Sequence, residues 1–248
     1  MRALITGASS GIGRDIAREL AKKDYELVLV ARDEEKLKEL QKELSVKTTI
    51  ISMDLSIEEN CINLYKKEKN IDILINNAGF GVFGEFDKTD LEKELNLIKT
   101  NVTAVHILTK LYLKDMIKEN KGIILNVSSI AGFMPGPLMA AYYSSKAYVL
   151  RLSEAIKEEL KKEKSKVQIS VLTPGPVNTN FNNVADVKFN LSSLSSEYVA
   201  KYTVNKMLKG KFIITPGFTI KLARFFTKII PNSVIVKFVY KSQERKRG

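Results

Sequence analysis

Tyr142 and Lys146 stand four residues apart inside a stretch, 141–164, whose pattern reads as one helix, so their side chains project from one face a turn apart. A phenol beside an ammonium is a candidate acid–base group. A free tyrosine ionises near a pKa of about 10, and a neighbouring positive charge favours the phenolate and brings that value towards neutrality. Tyr143 has no lysine at the same spacing, so Tyr142 is the tyrosine of the pair. Ser129 lies thirteen residues upstream of it, at the C-terminal end of a strand-like run, where ligands bind in α/β sheets. On spacing alone a Tyr-x-x-x-Lys pair reads more readily as solvated helix surface, so the surrounding elements have to decide.

A second candidate opens the chain. Thr6-Gly7-Ala8-Ser9-Ser10-Gly11-Ile12-Gly13 follows the strand-like run Arg2–Thr6 and passes directly into a helical pattern. Glycines there let the backbone turn sharply and approach a pyrophosphate, whose charge the helix N-terminus stabilises. The bland alternative is a plain strand–loop–helix turn. The position of the loop, first in the chain and between strand and helix, is the one a dinucleotide site requires.

The elements that must hold these residues alternate. Strand patterns fall at Arg2–Thr6, Glu26–Val30, Thr48–Ser52, Ile71–Asn76, Gly122–Val127, Val167–Leu172 and Lys211–Thr215. Most are near-continuous apolar runs, as in strands buried on both faces of a parallel sheet. Helical patterns lie between them at Gly13–Lys23, Asp33–Leu44, Ile57–Lys67, Thr89–Lys118, Ala141–Lys164 and Glu197–Leu208. The expectation is an α/β fold with a single doubly wound parallel sheet of about seven strands, the Rossmann arrangement. It would occupy 1–217 and be followed by a basic amphipathic helical extension, 218–248.

The spacing G-x-x-x-G-x-G resembles the short-chain dehydrogenase/reductase family, and the resemblance recurs in chain order at Asp54-Leu55, Asn76-Asn77-Ala78-Gly79, Asn101, Ser128-Ser129, Tyr142-x-x-x-Lys146 and Pro174-Gly175-Pro176-Val177-Asn178-Thr179. These motifs span 6–179. The family interconverts carbonyl and alcohol by hydride transfer with a nicotinamide cofactor. The resemblance implies that Tyr142 is the general acid/base and that Lys146 lowers its pKa and holds the nicotinamide ribose. It makes the second serine of the pair, Ser129, the hydrogen-bond partner of the substrate oxygen, and has Asn101 support a proton-relay water. It assigns cofactor contacts to Gly7, Ser9, Ser10, Gly11, Ile12, Gly13, Arg32, Asp54, Leu55, Asn77, Ala78, Gly79, Tyr142, Lys146, Pro174, Gly175, Val177 and Thr179. Relatives are often dimers or tetramers, so a homo-oligomer is expected.

Family members that use NAD usually end the second strand with an acid; here that strand ends Val30-Ala31-Arg32. An arginine suits a 2′-phosphate, gripped through paired charge-assisted bonds. NADP(H) is therefore expected over NAD(H). Ser10, where many NADP-binding relatives carry a second basic residue, and the neighbouring Asp33 weigh the other way.

Composition excludes several classes. The chain has 248 residues, a formal net charge of +12, one Cys and one His. Cys61 alone forms no internal disulfide, and no Cys/His cluster suits a zinc ion, so no metal is expected. No apolar run approaches a membrane span and no signal-peptide pattern opens the chain, so a cytoplasmic protein is expected. His106 and Cys61 read as structural.

The charge is concentrated. Residues 201–248 hold twelve Lys and Arg against the single acid Glu244, which leaves the rest nearly neutral. Leu222, Phe225, Phe226, Ile229 and Ile230 recur at helical spacing, with Lys221, Arg224 and Lys228 on another face. After Pro231, Val234, Ile235, Phe238 and Val239 oppose Lys237 and Lys241. Such a tail can pack against the body or a second subunit, lie on an anionic membrane, or, least in keeping with a near-neutral body, meet nucleic acid. The segment Asn180–Ser196, with Phe181, Val184, Val187, Phe189, Leu191 and Leu194, reads as an apolar lid or as core, and suggests an apolar ketone, aldehyde or acyl substrate. The rival to an enzyme is a membrane- or partner-associated dinucleotide-binding protein with vestigial catalysis.

Overall fold

The computed structural model describes residues 1–179 and 193–245. The first three strands, β1 (Arg2–Thr6), β2 (Glu26–Ala31) and β3 (Thr48–Ser52), alternate with α1 (Gly11–Ala21), α2 (Glu34–Glu43) and α3 (Glu58–Lys67). Then come β4 (Ile73–Asn76), α4 (Leu91–Ile98), a π-helical turn (Lys99–Thr103), α5 (Ala104–Lys118), β5 (Ile123–Val127), a 3-10 turn (Ile130–Phe133) and α6 (Ala140–Lys162). The remainder is β6 (Gln168–Leu172), β7 (Val177–Asn178), β8 (Leu194–Ser195), α7 (Ser196–Met207), β9 (Ile213–Ile214), α8 (Phe218–Phe226) and α9 (Asn232–Glu244).

Seven strands form one parallel sheet in the order β3-β2-β1-β4-β5-β6-β9. Period-2 alternation explains why both its faces are apolar. In β1, Ala3 and Ile5 enter one core layer and Leu4 the other; in β2, Leu27 and Leu29 oppose Val28 and Val30; in β4, Ile73 and Ile75 oppose Leu74. One layer is closed by Ile16, Ala17, Leu20 and Ala21 of α1, the stripe at i, i+1, i+4 and i+5. The other takes Leu108, Tyr112 and Met116 of α5. β1 pairs with β2 on one side and β4 on the other, so the winding direction reverses there, and the crevice at that switch point lies at the strands' C-terminal ends.

Three features differ from the sequence pattern. The single helix expected over Thr89–Lys118 contains the π turn at its middle. A short parallel pair, β7 with β8, brings Val177 beside Leu194. It is too short to show any periodicity. The last strand keeps only Ile213 and Ile214 in the ladder.

Candidate functional site

A cleft of about 460 Å³ opens at the switch point. Its floor is the glycine loop between β1 and α1. Gly7 (φ +65°) and Gly11 (φ +54°) occupy the left-handed region, and a Cβ on Gly7 would sit 2.8 Å from the Ala78 Cα. The loop is tied to the end of β4: Thr6 Oγ1 accepts from the Asn77 and Ala78 amides at 2.9 and 3.0 Å, and Asn77 Nδ2 donates to the Thr6 and Gly7 carbonyls. Gly13 lies behind this seam, where a Cβ would come within 2.4 Å of both Asn77 Nδ2 and the Gly7 oxygen. Its part is close helix–loop packing rather than a place in the cleft wall. The first turn of α1 carries no acid and receives no side-chain cap, which leaves its N–H groups available to an anion.

The far end of the cleft is lined by Arg32, Asp33, Lys36, Asp54 and Leu55. Among the described residues the exposed Arg32 guanidinium makes no hydrogen bond or ion pair. Asp33 is engaged elsewhere: its carboxylate caps α2 at the Lys36 amide, 3.1 Å, and pairs with Lys36 Nζ at 2.6 Å. That pairing holds its pKa below the ordinary carboxylate value. Lys36 was missed in the sequence, although it falls four residues after Arg32 and brings a second cation to this wall.

Tyr142, Lys146 and Ser129 converge on the near end. The Tyr142 hydroxyl is hydrogen-bonded to Ser129. Lys146 is buried, donates to the Val127 carbonyl at 2.9 Å, and lies 5.8 Å from the centre of the Tyr142 ring. Both serines line the cleft: Ser128 Oγ donates to the Lys146 carbonyl at 2.7 Å, anchoring α6 to the end of β5, while Ser129 is the one bonded to Tyr142. Burial holds the Tyr142 phenol above its ordinary pKa, with the Ser129 hydrogen bond opposing it. Burial also brings the Lys146 ammonium down to about 8. The protein by itself keeps a protonated phenol beside a weakened cation.

Asn101 is fully buried in the π turn and does not line the cleft. Its amide donates to the Phe80 carbonyl and Ser145 Oγ at 2.9 and 3.1 Å and accepts from the Phe80 N–H at 3.1 Å. It thereby clamps the Gly79–Phe80 segment to α6. A Cβ on Gly79 would meet Asn101 Oδ1 at 2.8 Å and Lys146 Nζ at 3.4 Å, so the π turn, the β4 end and the lysine share one small volume.

Ser9, Ser10, Ile12, Pro174, Gly175, Val177 and Thr179 also line the cleft, together with Phe80, Met139 and Tyr143. Gln243 of α9 reaches it as well, donating to the Tyr143 hydroxyl at 2.7 Å. Nothing local in the sequence connects positions 143 and 243. Leu194 packs at the edge of the core, while Phe181, Val184, Val187, Phe189 and Leu191 lie outside the described residues. His106 bonds the Tyr148 hydroxyl at 2.7 Å away from the cleft. Burial pushes the Cys61 thiol up to about 11, as suits an inert packing group. Among the described residues no cluster could hold a metal ion, and no helix is long and apolar enough to cross a membrane.

Residues 1–188 match the family described as short chain dehydrogenase. The very-long-chain 3-oxoacyl-CoA reductase of Rattus norvegicus is 35% identical over 173 residues, 64% of this chain and 54% of its own. The chain thus spans about half the length of that relative. A short-chain dehydrogenase from Sphingobium yanoikuyae in complex with NADPH superposes with a TM-score of 0.83 at 28% identity, covering 92% of each chain. A short chain dehydrogenase/reductase from Burkholderia phymatum in complex with NAD gives 0.82 at 24% identity over 90% of this chain and 91% of its own, a likeness of fold. Matched through the strands that build the cleft, this chain belongs to the short-chain dehydrogenase family.

Proposed function

We propose that the protein is an NADP(H)-preferring reductase of the carbonyl of an apolar ketone, aldehyde or acyl-chain substrate, with Tyr142 as proton donor. The observation that carries this reading is the Ser129–Tyr142 hydrogen bond set over buried Lys146 inside the cleft. The cofactor fits what the chain offers: a glycine floor that a Cβ would fill, a helix N-terminus without a side-chain cap or acid, and Arg32, a cation with no partner among the described residues. When bound, the nicotinamide dinucleotide supplies or accepts the hydride.

The residues of the chain do the rest. Gly7 and Gly11 would give the backbone room for a pyrophosphate, and Arg32, with Lys36 nearby, would hold a 2′-phosphate. Ser129 Oγ and the Tyr142 hydroxyl together hold a carbonyl oxygen and stabilise the negative charge that develops on it. Tyr142, kept protonated by burial, is placed to deliver its proton to that oxygen. The Lys146 ammonium then stabilises the phenolate left behind. Asn101 acts by fixing Gly79 and α6, and so the place of Lys146.

Phe80, Met139 and Tyr143 give the substrate side an apolar wall, and relatives are named as reductases of very-long-chain 3-oxoacyl-CoA, a ketone on an acyl chain. The vestigial reading is less favoured because Ser129, Tyr142 and Lys146 stand together in one cleft. The test is thermal melting with NADP⁺, NAD⁺ and neither, followed by NADPH oxidation with medium-chain ketones and 3-oxoacyl thioesters. A ligand at about 100 times its dissociation constant adds roughly 2.7 kcal/mol. A shift with NADP⁺ exceeding that with NAD⁺, and turnover abolished in Tyr142→Phe, is the expected result. A larger NAD⁺ shift overturns the cofactor assignment, and retained turnover in Tyr142→Phe overturns the mechanism.

A further inference from the structure

The two C-terminal helices carry their amphipathic pattern in an unusual sense. In α8, Arg224 turns inward, over the Phe133 ring at 5.3 Å and 3.5 Å from Thr215 Oγ1, while the apolar stripe turns outward. Phe218 is 78% exposed, Phe225 56% and Ile229 61%; in α9, Phe238 is 75% and Val234 55%. α8 has no buried residue at all. Only Ile235, Val239 and Gln243 of α9 pack inward. Soluble surfaces rarely leave so many large apolar side chains together in water.

Charge decides what covers them. Lys221 of α8 and Lys228 just beyond it lie four and three residues from Phe225, Lys237 and Lys241 flank Phe238, and all four are exposed. Between 218 and 245 the only acid is Glu244. A second copy of the chain, meeting this face about a two-fold axis, would set these lysines against their own counterparts with almost no carboxylate to answer them. An acidic protein surface would answer the lysines but has no general reason to accept phenylalanines at this density. A bilayer of anionic phospholipids takes both at once: headgroups for the lysines and the acyl boundary for the rings.

We propose that α8 and α9 form a docking surface for the interface of an anionic membrane. Because Ile220 of α8 rests on the cleft residue Gly175 and Gln243 of α9 lines the cleft, docking sets the rim of the cleft beside the lipid.

The experiment is flotation of the full-length protein with vesicles of phosphatidylcholine alone and of phosphatidylcholine with about one-third phosphatidylglycerol, at roughly 0.05 and 0.5 M salt. Binding is expected on the anionic vesicles at low salt, at least tenfold above that on neutral ones, and weakened by salt. Lys221→Gln/Lys228→Gln should lower it roughly 25-fold, about fivefold per charge. Phe225→Ser/Phe238→Ser should lower it tenfold or more with the melting temperature held. Should that variant fold poorly, the lipid and salt dependence of the unaltered chain decides alone. No binding to anionic vesicles at low salt, equal binding to both vesicle types, or a dimer that the phenylalanine substitutions dissociate would each overturn the proposal. None of these readouts depends on catalysis.

Discussion

The cleft and the C-terminal helices treat the same residue types in opposite ways. Around the cleft, apolar side chains face inward in alternation along β1, β2 and β4, and Lys146, beside Tyr142, is buried and bonded to a carbonyl. In α8 and α9, phenylalanines face solvent, lysines flank them, and an arginine is tucked underneath. Periodicity is equally clear in both regions. A repeat of 3.6 therefore identifies an apolar face, but what that face meets is set by whether the rest of the chain has surface left to cover it.

The largest expected contrast is in rate. Tyr142→Phe should lower turnover by about 10²–10⁴ while leaving both the NADP⁺-induced melting shift and vesicle binding unchanged. Loss of vesicle binding in that variant would show that cleft and tail are not separable. Stability draws the same line. Leu74 is fully buried in the central strand, and Leu74→Ala should cost roughly 2–5 kcal/mol in denaturant unfolding. Phe225→Ser, of a larger side chain, should stay within about 0.5 kcal/mol of the parent. A cost at Phe225 comparable to that at Leu74 would mean that the tail is packed in solution.

How much of this was legible in the sequence follows from the same distinction. The seven strands could be read because each is a short apolar run with helices between, and burial on both faces removes any ambiguity about direction. Ser129 could be preferred to Ser128 only through the order of the pair in the family, and the structure gives Ser128 a separate anchoring bond. Gln243 was out of reach, because its contact with Tyr143 joins residues a hundred apart through a packing choice. The π turn was hidden too, since one extra residue per turn leaves no trace in a pattern that otherwise continues from Leu91 to Lys118. The burial of Tyr142 was hidden for a physical reason: a neighbouring charge can be inferred from spacing, whereas desolvation appears only once the pocket has walls.

Arg32 sharpens the contrast between cations. Like the lysines of the tail it is exposed, but it faces the cleft and has no partner among the described residues. Arg32→Ala should weaken NADP⁺ about tenfold to a hundredfold, the worth of a charge-assisted bond or two, and leave NAD⁺ nearly unchanged, as measured by fluorescence titration. An equal loss for both cofactors would place its contact elsewhere than the 2′-phosphate.

The smallest effect is the most specific to burial. Lys146 has its ammonium brought down to about 8 by desolvation, against an ordinary value of 10.5, so at pH 7 the folded protein carries a buried charge that the unfolded chain would rather keep. A Lys146→Met variant is relieved of that cost, roughly 3 kcal/mol at most, but leaves the Val127 carbonyl without its donor, a loss of about 1–3 kcal/mol. The expected net gain in stability at pH 7 is on the order of 1 kcal/mol. Between pH 8 and 10.5 the unfolded parent binds more protons than the folded one, so the stability of the parent rises with pH while that of the variant does not. The gap should close across that window and then reverse, because the neutral amine still donates to Val127. The same substitution at exposed Lys228 should show no such crossing. Denaturant melts of both variants and the parent at pH 7, 8.5 and 10 would read it, and parallel curves for Lys146→Met would mean that water reaches this lysine and that its charge is not paid for by the fold.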